Sequence, residues 1–356
     1  MERYIAIDPG KFATKCAYLV QDGEDKYSTV VFKFRTKTSK GDFADDALEP
    51  STMIAEYKGN VYKVGRGALH EAELNTNKMD EAHRICALVA IAGICSEDEI
   101  DEIHAGIGIP VKEWEIVEKR EQYKKFMLPE GVIEIKLMTK SGKPPVTKRF
   151  KIASRHAYPE SQGAIFLKTV VKTKNEMRSA NVGVVDIGNL NINLTRWENT
   201  ILDQNASMTG ELGGNILISG LSQKLSAMFT RCSEATLASV LRLPYEERML
   251  KPVKPNPEME KESKKIIDEY LLEHVRNIKR KCDALQWDYD FMPMVFIGGT
   301  STLLQREIHE VFGDECYIPN NPEYANVSGF LRVLCSKELG IIIPLPKIEE
   351  EEEEKL

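Results

Sequence analysis

This chain has no C-x-x-C pair and no H-E-x-x-H. Its seven cysteines, Cys16, Cys86, Cys95, Cys232, Cys282, Cys316 and Cys335, are odd in number and scattered. Thiols without paired spacing fit buried cysteines of a reducing, cytoplasmic protein rather than a disulfide framework. The six histidines form no ligand pair, which argues against a dedicated zinc site. No G-x-x-x-x-G-K-[ST] is present, so a P-loop fold is disfavoured. No G-x-G-x-x-G follows a strand pattern, which removes the simplest dinucleotide site. No apolar run approaches the about 18 residues that a membrane span needs, so no membrane partner is expected. The first residues enter a strand pattern directly, without a basic stretch ahead of a long apolar one. Without a secretion signal the three N-x-[ST] sequons, at Asn193, Asn205 and Asn326, carry no meaning.

A net positive charge is also lacking. The net charge is −7, and a run of six glutamates at 349–354 accounts for most of it. The remainder is close to neutral, which argues against a broad phosphate-neutralising surface and against direct, non-specific nucleic-acid binding. The run itself reads as a solvated tail, with docking to a basic partner as the alternative. At 356 residues the chain exceeds the size at which single cores stop growing, about 250–300 residues, so two domains are expected.

Two short stretches are built alike. Tyr4-Ile5-Ala6-Ile7-Asp8-Pro9-Gly10 continues into Lys11-Phe12-Ala13-Thr14-Lys15-Cys16-Ala17-Tyr18. Val182-Gly183-Val184-Val185-Asp186-Ile187-Gly188 continues into Asn189-Leu190-Asn191-Ile192-Asn193-Leu194. Asp8 and Asp186 are 178 residues apart, as are Gly10 and Gly188. Each stretch reads as a buried strand, an Asp-x-Gly turn and a returning strand.

Around these hairpins, strand and helix patterns alternate. Strands are expected at 3–8, 15–20 and 27–34, with a turn at Asp22-Gly23. Residues 35–60 are polar and mixed, and 61–65 is a short strand. A buried helix is expected over 80–95, a strand over 103–109 and a charged helix over 114–127. Lys140-Ser141-Gly142-Lys143-Pro144-Pro145 is a loop, 149–157 a strand, and Pro159 the early proline of a helix. In the second half the hairpin at 182–197 leads to Gly210-Glu211-Leu212-Gly213-Gly214, then to helices over 215–229 and 233–241. A proline-rich linker covers 251–257, and a long helix covers 258–285. A buried strand at 294–297 ends in Gly298-Gly299-Thr300-Ser301, which starts the next helix. The last helix runs from near Asn326 to Gly340. The alternation implies two similar α/β domains with mixed sheets and a cleft between them.

Turns rich in glycine and small residues expose consecutive backbone N–H groups that cradle phosphate oxygens. Residues 10–14 and 188–191 are candidates, and Lys15 is placed to reach a phosphate. Asp8 and Asp186, at strand ends, are candidates for a hydrated Mg²⁺. A single Asp-x-Gly is more often only a hairpin turn; two at matched positions favour a shared ligand, such as a nucleoside triphosphate with its metal ion. Gly298-Gly299 after an apolar strand would admit a base or ribose against bare backbone. Gly213-Gly214 is equally open, and both pairs also fit helix-start turns.

Taken together these segments resemble the actin and sugar-kinase superfamily of ATPases. Asp8-Pro9-Gly10-Lys11-Phe12-Ala13-Thr14-Lys15 resembles its first phosphate loop, and Asp186-Ile187-Gly188-Asn189-Leu190-Asn191 its second. Phe296-Ile297-Gly298-Gly299-Thr300 resembles the adenosine motif. Pro159-Glu160-Ser161-Gln162-Gly163-Ala164 and Tyr324-Ala325-Asn326-Val327-Ser328-Gly329-Phe330 resemble the two connecting helices, and these two are most similar to ParM-type bacterial actins, which segregate plasmids. The chain departs from many relatives at Asn189, Leu190 and Asn191, where they carry Gly and Thr.

The resemblance implies an actin-like α/β fold of two similar domains around a nucleotide cleft. Domain I would cover 1–165, with a small insertion at about 35–100 and the helix at about 326–340 returning to it. Domain II would cover 166–325, with a helical insertion at about 215–290, and 341–356 would be the acidic tail. It implies ATP, with GTP as an alternative, and Mg²⁺ as cofactors. Glu160 would help position the attacking water, with Gln162 as its substitute; a helix N-terminal carboxylate is the plain alternative for Glu160. The implied activity is a filament that forms with ATP and disassembles on hydrolysis, its partners being other copies of itself and a DNA-binding adaptor. A sugar or small-acid kinase, or a scaffold that uses ATP only as a structural ligand, are the competing functions.

Overall fold

The computed structural model describes residues 1–23, 26–43, 48–71, 78–140, 143–167, 181–229 and 232–346. The glutamate run at 349–354 and the centre of the 140–145 loop lie outside the described residues. The chain divides into two compact units, Met1–Thr169 with Tyr324–Leu356, and Val170–Glu323.

The first unit is built on strands β1 (Glu2–Pro9), β2 (Ala13–Gly23), β3 (Lys26–Arg35), β4 (Lys37–Lys40), β5 (Thr52–Tyr57), β6 (Asn60–Gly65), β7 (His70–Glu71), β8 (Ile100–Ile109), β9 (Val132–Met138) and β10 (Val146–Pro159). They form one sheet in the order β3-β2-β1-β8-β10-β9-β5-β6-β4-β7. β1 lies between antiparallel β2 and parallel β8. A strand covered on both faces has no polar side to present, which is why Ile5, Ala6 and Ile7 run together and are all fully buried. The helix Glu81–Ile94 covers one face; its Asp80 cap accepts a hydrogen bond from the His83 N–H at 2.9 Å. The helix Ala325–Glu338 packs on Tyr4, Ala6, Ala17 and Tyr158 through Val327, Phe330, Leu331 and Leu334. Phe330 stacks on Tyr158 with ring centres 5.2 Å apart.

The second unit repeats the opening on a smaller scale. β11 (Asn181–Ile187), β12 (Ile192–Glu198), β13 (Ile201–Gly210) and β14 (Met294–Ile297) form a sheet in the order β13-β12-β11-β14. β11 is antiparallel to β12 and parallel to β14. Its core is closed by the helices Gly214–Met228, Glu234–Val240, Pro257–Ala284 and Gln305–Phe312. The 28-residue helix opens on Asn256, whose side chain accepts from Met259 N–H at 3.1 Å, with Pro257 at its first position. Leu271, Val275, Ile278 and Cys282 place its apolar stripe in the core at helical spacing.

Several local expectations change. The polar stretch 35–60 holds β4 and β5, whose pairing with β6 and β9 supplies order that their weak apolar alternation does not announce. β13 adds a third strand after the 182–197 hairpin. Pro159 begins no helix. It ends β10, still in register with Ile109, and the helix that follows covers only Gln162–Ile165. A strand end suits proline, because no ladder donor is required there. The 251–257 linker is shorter than expected, since Pro257 already belongs to the long helix. All seven cysteines are buried and free of disulfides. Among the described residues no helix is long and apolar enough to cross a membrane.

Candidate functional site

In the first unit β1 delivers Asp8 to the start of the β1–β2 turn. The Gly10 N–H closes that turn on the Asp8 carbonyl at 2.8 Å. A Cβ on Gly10 would sit 2.7 Å from the Ala13 carbonyl oxygen, so the turn excludes a side chain there. Thr36 ties the loop from below. Its hydroxyl donates to the Gly10 carbonyl at 2.5 Å, which leaves Thr14 as the donor in the 2.9 Å Thr14–Thr36 contact. Lys15 stands opposite Asp8 in the strand register. Phe12 is exposed and lies under the Arg35 guanidinium at 3.5 Å.

Asp8 is buried, and its Oδ1 lies 3.4 Å from the Nζ of Lys78, which is also buried. The same ammonium lies 2.5 Å from Glu160 Oε1. Burial pushes the Asp8 carboxyl up, but Lys78 and then Lys15 outweigh it and hold it below the ordinary aspartate range. Burial likewise opposes the Lys78 ammonium, and Glu160 and Asp8 outweigh it, so Lys78 stays charged with its pKa above the usual value. Removing one member of such a buried ionic cluster costs about 3–5 kcal/mol, because the others are left without a partner. Next to the cluster Tyr123 donates to the Gly108 carbonyl at 3.0 Å, and burial drives its phenol up. His83 is fully buried, with Nδ1 2.7 Å from Asp80 Oδ2. Burial lowers its pKa against the pull of Asp80.

The two helices expected to connect the domains cross inside this unit. Ser161 N–H donates to Asn326 Oδ1 at 3.0 Å. Ser161 is buried with φ 75°, a left-handed conformation that costs a non-glycine residue energy and aims the chain out of β10 into the crossing. Glu160 is held by its N–H on the Ile109 carbonyl at 2.9 Å, so it lies before the helix and faces Lys78. The macrodipole alternative therefore does not describe it. Gln162 is the first residue of the Gln162–Ile165 helix and is half-buried. A Cβ on Gly329 would fall 1.9 Å from the Gly163 carbonyl oxygen, and one on Gly163 2.3 Å from the Asn326 carbonyl oxygen. Gly329→Ala is expected to destabilise the protein by about 2–3 kcal/mol, because backbone must move to admit the methyl group. Urea unfolding followed by circular dichroism checks this; an unchanged midpoint would mean that the crossing is loose.

In the second unit three sequence segments meet. Asp186, near the end of β11, is buried and pairs in register with Asn193 and Ile297. The Gly188 N–H closes its turn on the Asn191 carbonyl at 2.9 Å. The helix start at Gly213 and Gly214 docks on this loop: Gly214 N–H donates to Gly188 O at 2.9 Å, and Asn215 N–H to Asn189 O at 2.8 Å. A Cβ on Gly213 would lie 2.4 Å from the Leu190 carbonyl carbon. Thr300 donates its hydroxyl to Gly188 O at 3.0 Å, which fastens the third segment. Gly298 has φ +90°, and a Cβ there would lie 2.4 Å from Ile187 O and 2.7 Å from Asp186 Oδ1. Gly299 opens the short helix Gly299–Leu303 with no side-chain cap at its start. The loop 188–191, the Gly213-Gly214 pair and Gly298-Gly299-Thr300 thus form one bare-backbone surface beside Asp186.

In both loops the leading glycine N–H is committed to the turn itself, so a phosphate would be met by the residues after it. Among the described residues no group of three or more His, Cys, Asp and Glu is arranged to hold a metal ion. The Lys78 ammonium beside Asp8 suits a hydrated divalent ion, held through its waters, better than one bound directly to that carboxylate. Sequence reasoning missed Lys78 and Thr36. Neither stands in a motif, and both act through contacts made far along the chain.

A meander of three strands followed by a parallel fourth, present in each unit with Asp-x-Gly ending the central strand, defines an α/β protein of the actin-like fold. Solved structures agree. The Alp12 filament structure superposes with a TM-score of 0.69 at 19% identity, covering 94% of this chain and 99% of that one. A crystal structure of an archaeal actin homolog gives 0.70 at 16% identity, with 94% and 99% covered. A 15-stranded ParM filament from Clostridium botulinum gives 0.67 at 17% identity, again with 94% and 99% covered. No protein-family model matches the sequence, and no curated protein matches it.

Proposed function

We propose that this chain is a filament-forming actin-like ATPase that assembles with ATP, disassembles on hydrolysis and segregates plasmid DNA through a separate adaptor protein. The observation that carries the proposal is the duplication: one turn, ended by a buried aspartate and stripped of side chains by glycine, closes the central strand of both units. One such turn is a hairpin; a matched pair favours a shared ligand such as a triphosphate with its metal ion. Residues 11–15 and 189–191 would meet the phosphates, with Gly10 and Gly188 shaping the turns and Lys15 as a point charge. Gly213, Gly214, Gly298, Gly299 and Thr300 would receive the nucleoside against bare backbone. Asp8 and Asp186 would hold hydrated Mg²⁺, which supplies charge neutralisation at the phosphoryl oxygens. Glu160 orients the attacking water, with Gln162 one residue beyond the left-handed turn as its substitute. The likeness to an Alp12 filament and a ParM filament supports assembly of copies of this chain. The near-neutral body supports an adaptor in place of direct DNA contact.

Light scattering and pelleting with ATP and Mg²⁺ test the proposal. Scattering should rise on addition of nucleotide, require Mg²⁺, and decay as phosphate is released. Scattering that never rises, with ADP formed only when a small acceptor molecule is added, would instead make the protein a kinase.

A further inference from the structure

Lys78 has no place in any sequence motif, yet both carboxylates picked out in the first unit converge on it. Its Nζ lies 2.5 Å from Glu160 and 3.4 Å from Asp8. Its side chain is only 7% exposed, and that of Glu160 is 14% exposed. A lysine is seldom buried to this depth unless it is paired. Two acids that approach one another inside a protein repel unless a cation stands between them. Here the cation is part of the chain, fixed just ahead of the capped helix Glu81–Ile94. The Glu160 backbone is anchored separately, its N–H donating to the Ile109 carbonyl on β8 at 2.9 Å. The ammonium contacts the carboxylate itself.

We propose that Lys78 is a positioning residue for the hydrolytic step, its ammonium holding the Glu160 carboxylate in the place from which it orients the attacking water, with Asp8 as the second anchor of that ammonium. This rests on the function proposed above. A group that acts by orienting another in the transition state changes kcat and leaves nucleotide binding nearly unaltered. A group that only neutralises buried charge changes stability and nothing else. Arginine keeps the charge and can span the same two carboxylates, whereas methionine keeps the length and removes the charge.

The test uses the full chain carrying Lys78→Met, Lys78→Arg, Glu160→Gln and the Lys78→Met/Glu160→Gln pair. Phosphate release, binding of a non-hydrolysable ATP analogue and melting without nucleotide are measured for each. Lys78→Met should lower kcat about tenfold or more and shift analogue affinity by less than about threefold, as expected for a role in the transition state. Lys78→Arg should recover most of the rate. The double variant should be no slower than Glu160→Gln alone, because the lysine acts through the glutamate. It should also melt above Lys78→Met, since losing both charges leaves fewer of them stranded. Wild-type turnover in Lys78→Met, or losses that multiply in the double variant, would overturn the inference and leave the ATPase reading standing. A wild-type chain that releases no phosphate would overturn both; additive melting changes would show that the 2.5 Å contact does not couple the two residues.

Discussion

Asp186→Ala should lower phosphate release by about 100-fold or more while the protein remains folded. The side chain is buried near the end of β11, where the strand stops pairing and the loop 188–191 begins. A carboxylate brought out of water is costly to leave uncompensated, and in the proposed function an ion held through its waters would contribute that compensation here. Groups that hold a metal at one remove typically contribute 10–100-fold to affinity or activity, and about 100-fold or more is expected because the same ion neutralises the transferring phosphoryl group. Alanine leaves the Gly298 backbone that packs on Asp186 undisturbed, since the space around Oδ1 is relieved and not crowded. The measurement is phosphate release over a Mg²⁺ titration, with circular dichroism as the control for folding. Wild-type release together with intact Mg²⁺-dependent nucleotide binding would remove Asp186 from the site.

Glu160→Ala should slow hydrolysis by about 100-fold and leave ATP binding within a few-fold of wild type, in line with the usual share of a residue that handles the nucleophile. Filaments of this variant should form with ATP and persist if hydrolysis is what weakens their contacts. The effect has a structural cost as well. Removing the carboxylate strips Lys78 of its nearer partner and leaves Asp8, at 3.4 Å, as the carboxylate facing the ammonium among the described residues. Some loss of thermal stability should therefore accompany the loss of rate, and Glu160→Gln should show less of it, because the amide keeps an acceptor oxygen for the lysine. Phosphate release recorded alongside light scattering decides the matter. Filaments that assemble and then decay at the wild-type rate would pass the water-orienting task to Gln162 or to another group.

The sequence by itself determined the repeated frame. Central strands covered on both faces must be apolar without interruption, and Ile5-Ala6-Ile7 and Val182 to Val185 declare themselves for that reason. Glycine where a Cβ would strike backbone is also a local requirement, so Gly10, Gly163, Gly213, Gly298 and Gly329 could be picked out one motif at a time. The long helix announced itself through its apolar stripe, although its start at Asn256-Pro257 was hidden in a stretch that reads as a proline-rich linker. Only the tertiary structure decided what those motifs touch. Lys78 reaches Asp8 across 70 positions of chain, and Thr36 reaches Gly10 across 26, and nothing in the composition around either residue signals the contact. β4 and β5 are strands because neighbours pair with them, whereas their own alternation is too weak to be read. Pro159 ended a strand, although a proline before Glu-Ser reads as a helix start, because β8 continued alongside it to Ile109. The physical division is one of range: burial periodicity and backbone sterics are written into neighbouring residues, while charge pairing and strand partnership exist only once distant parts of the chain have been brought together.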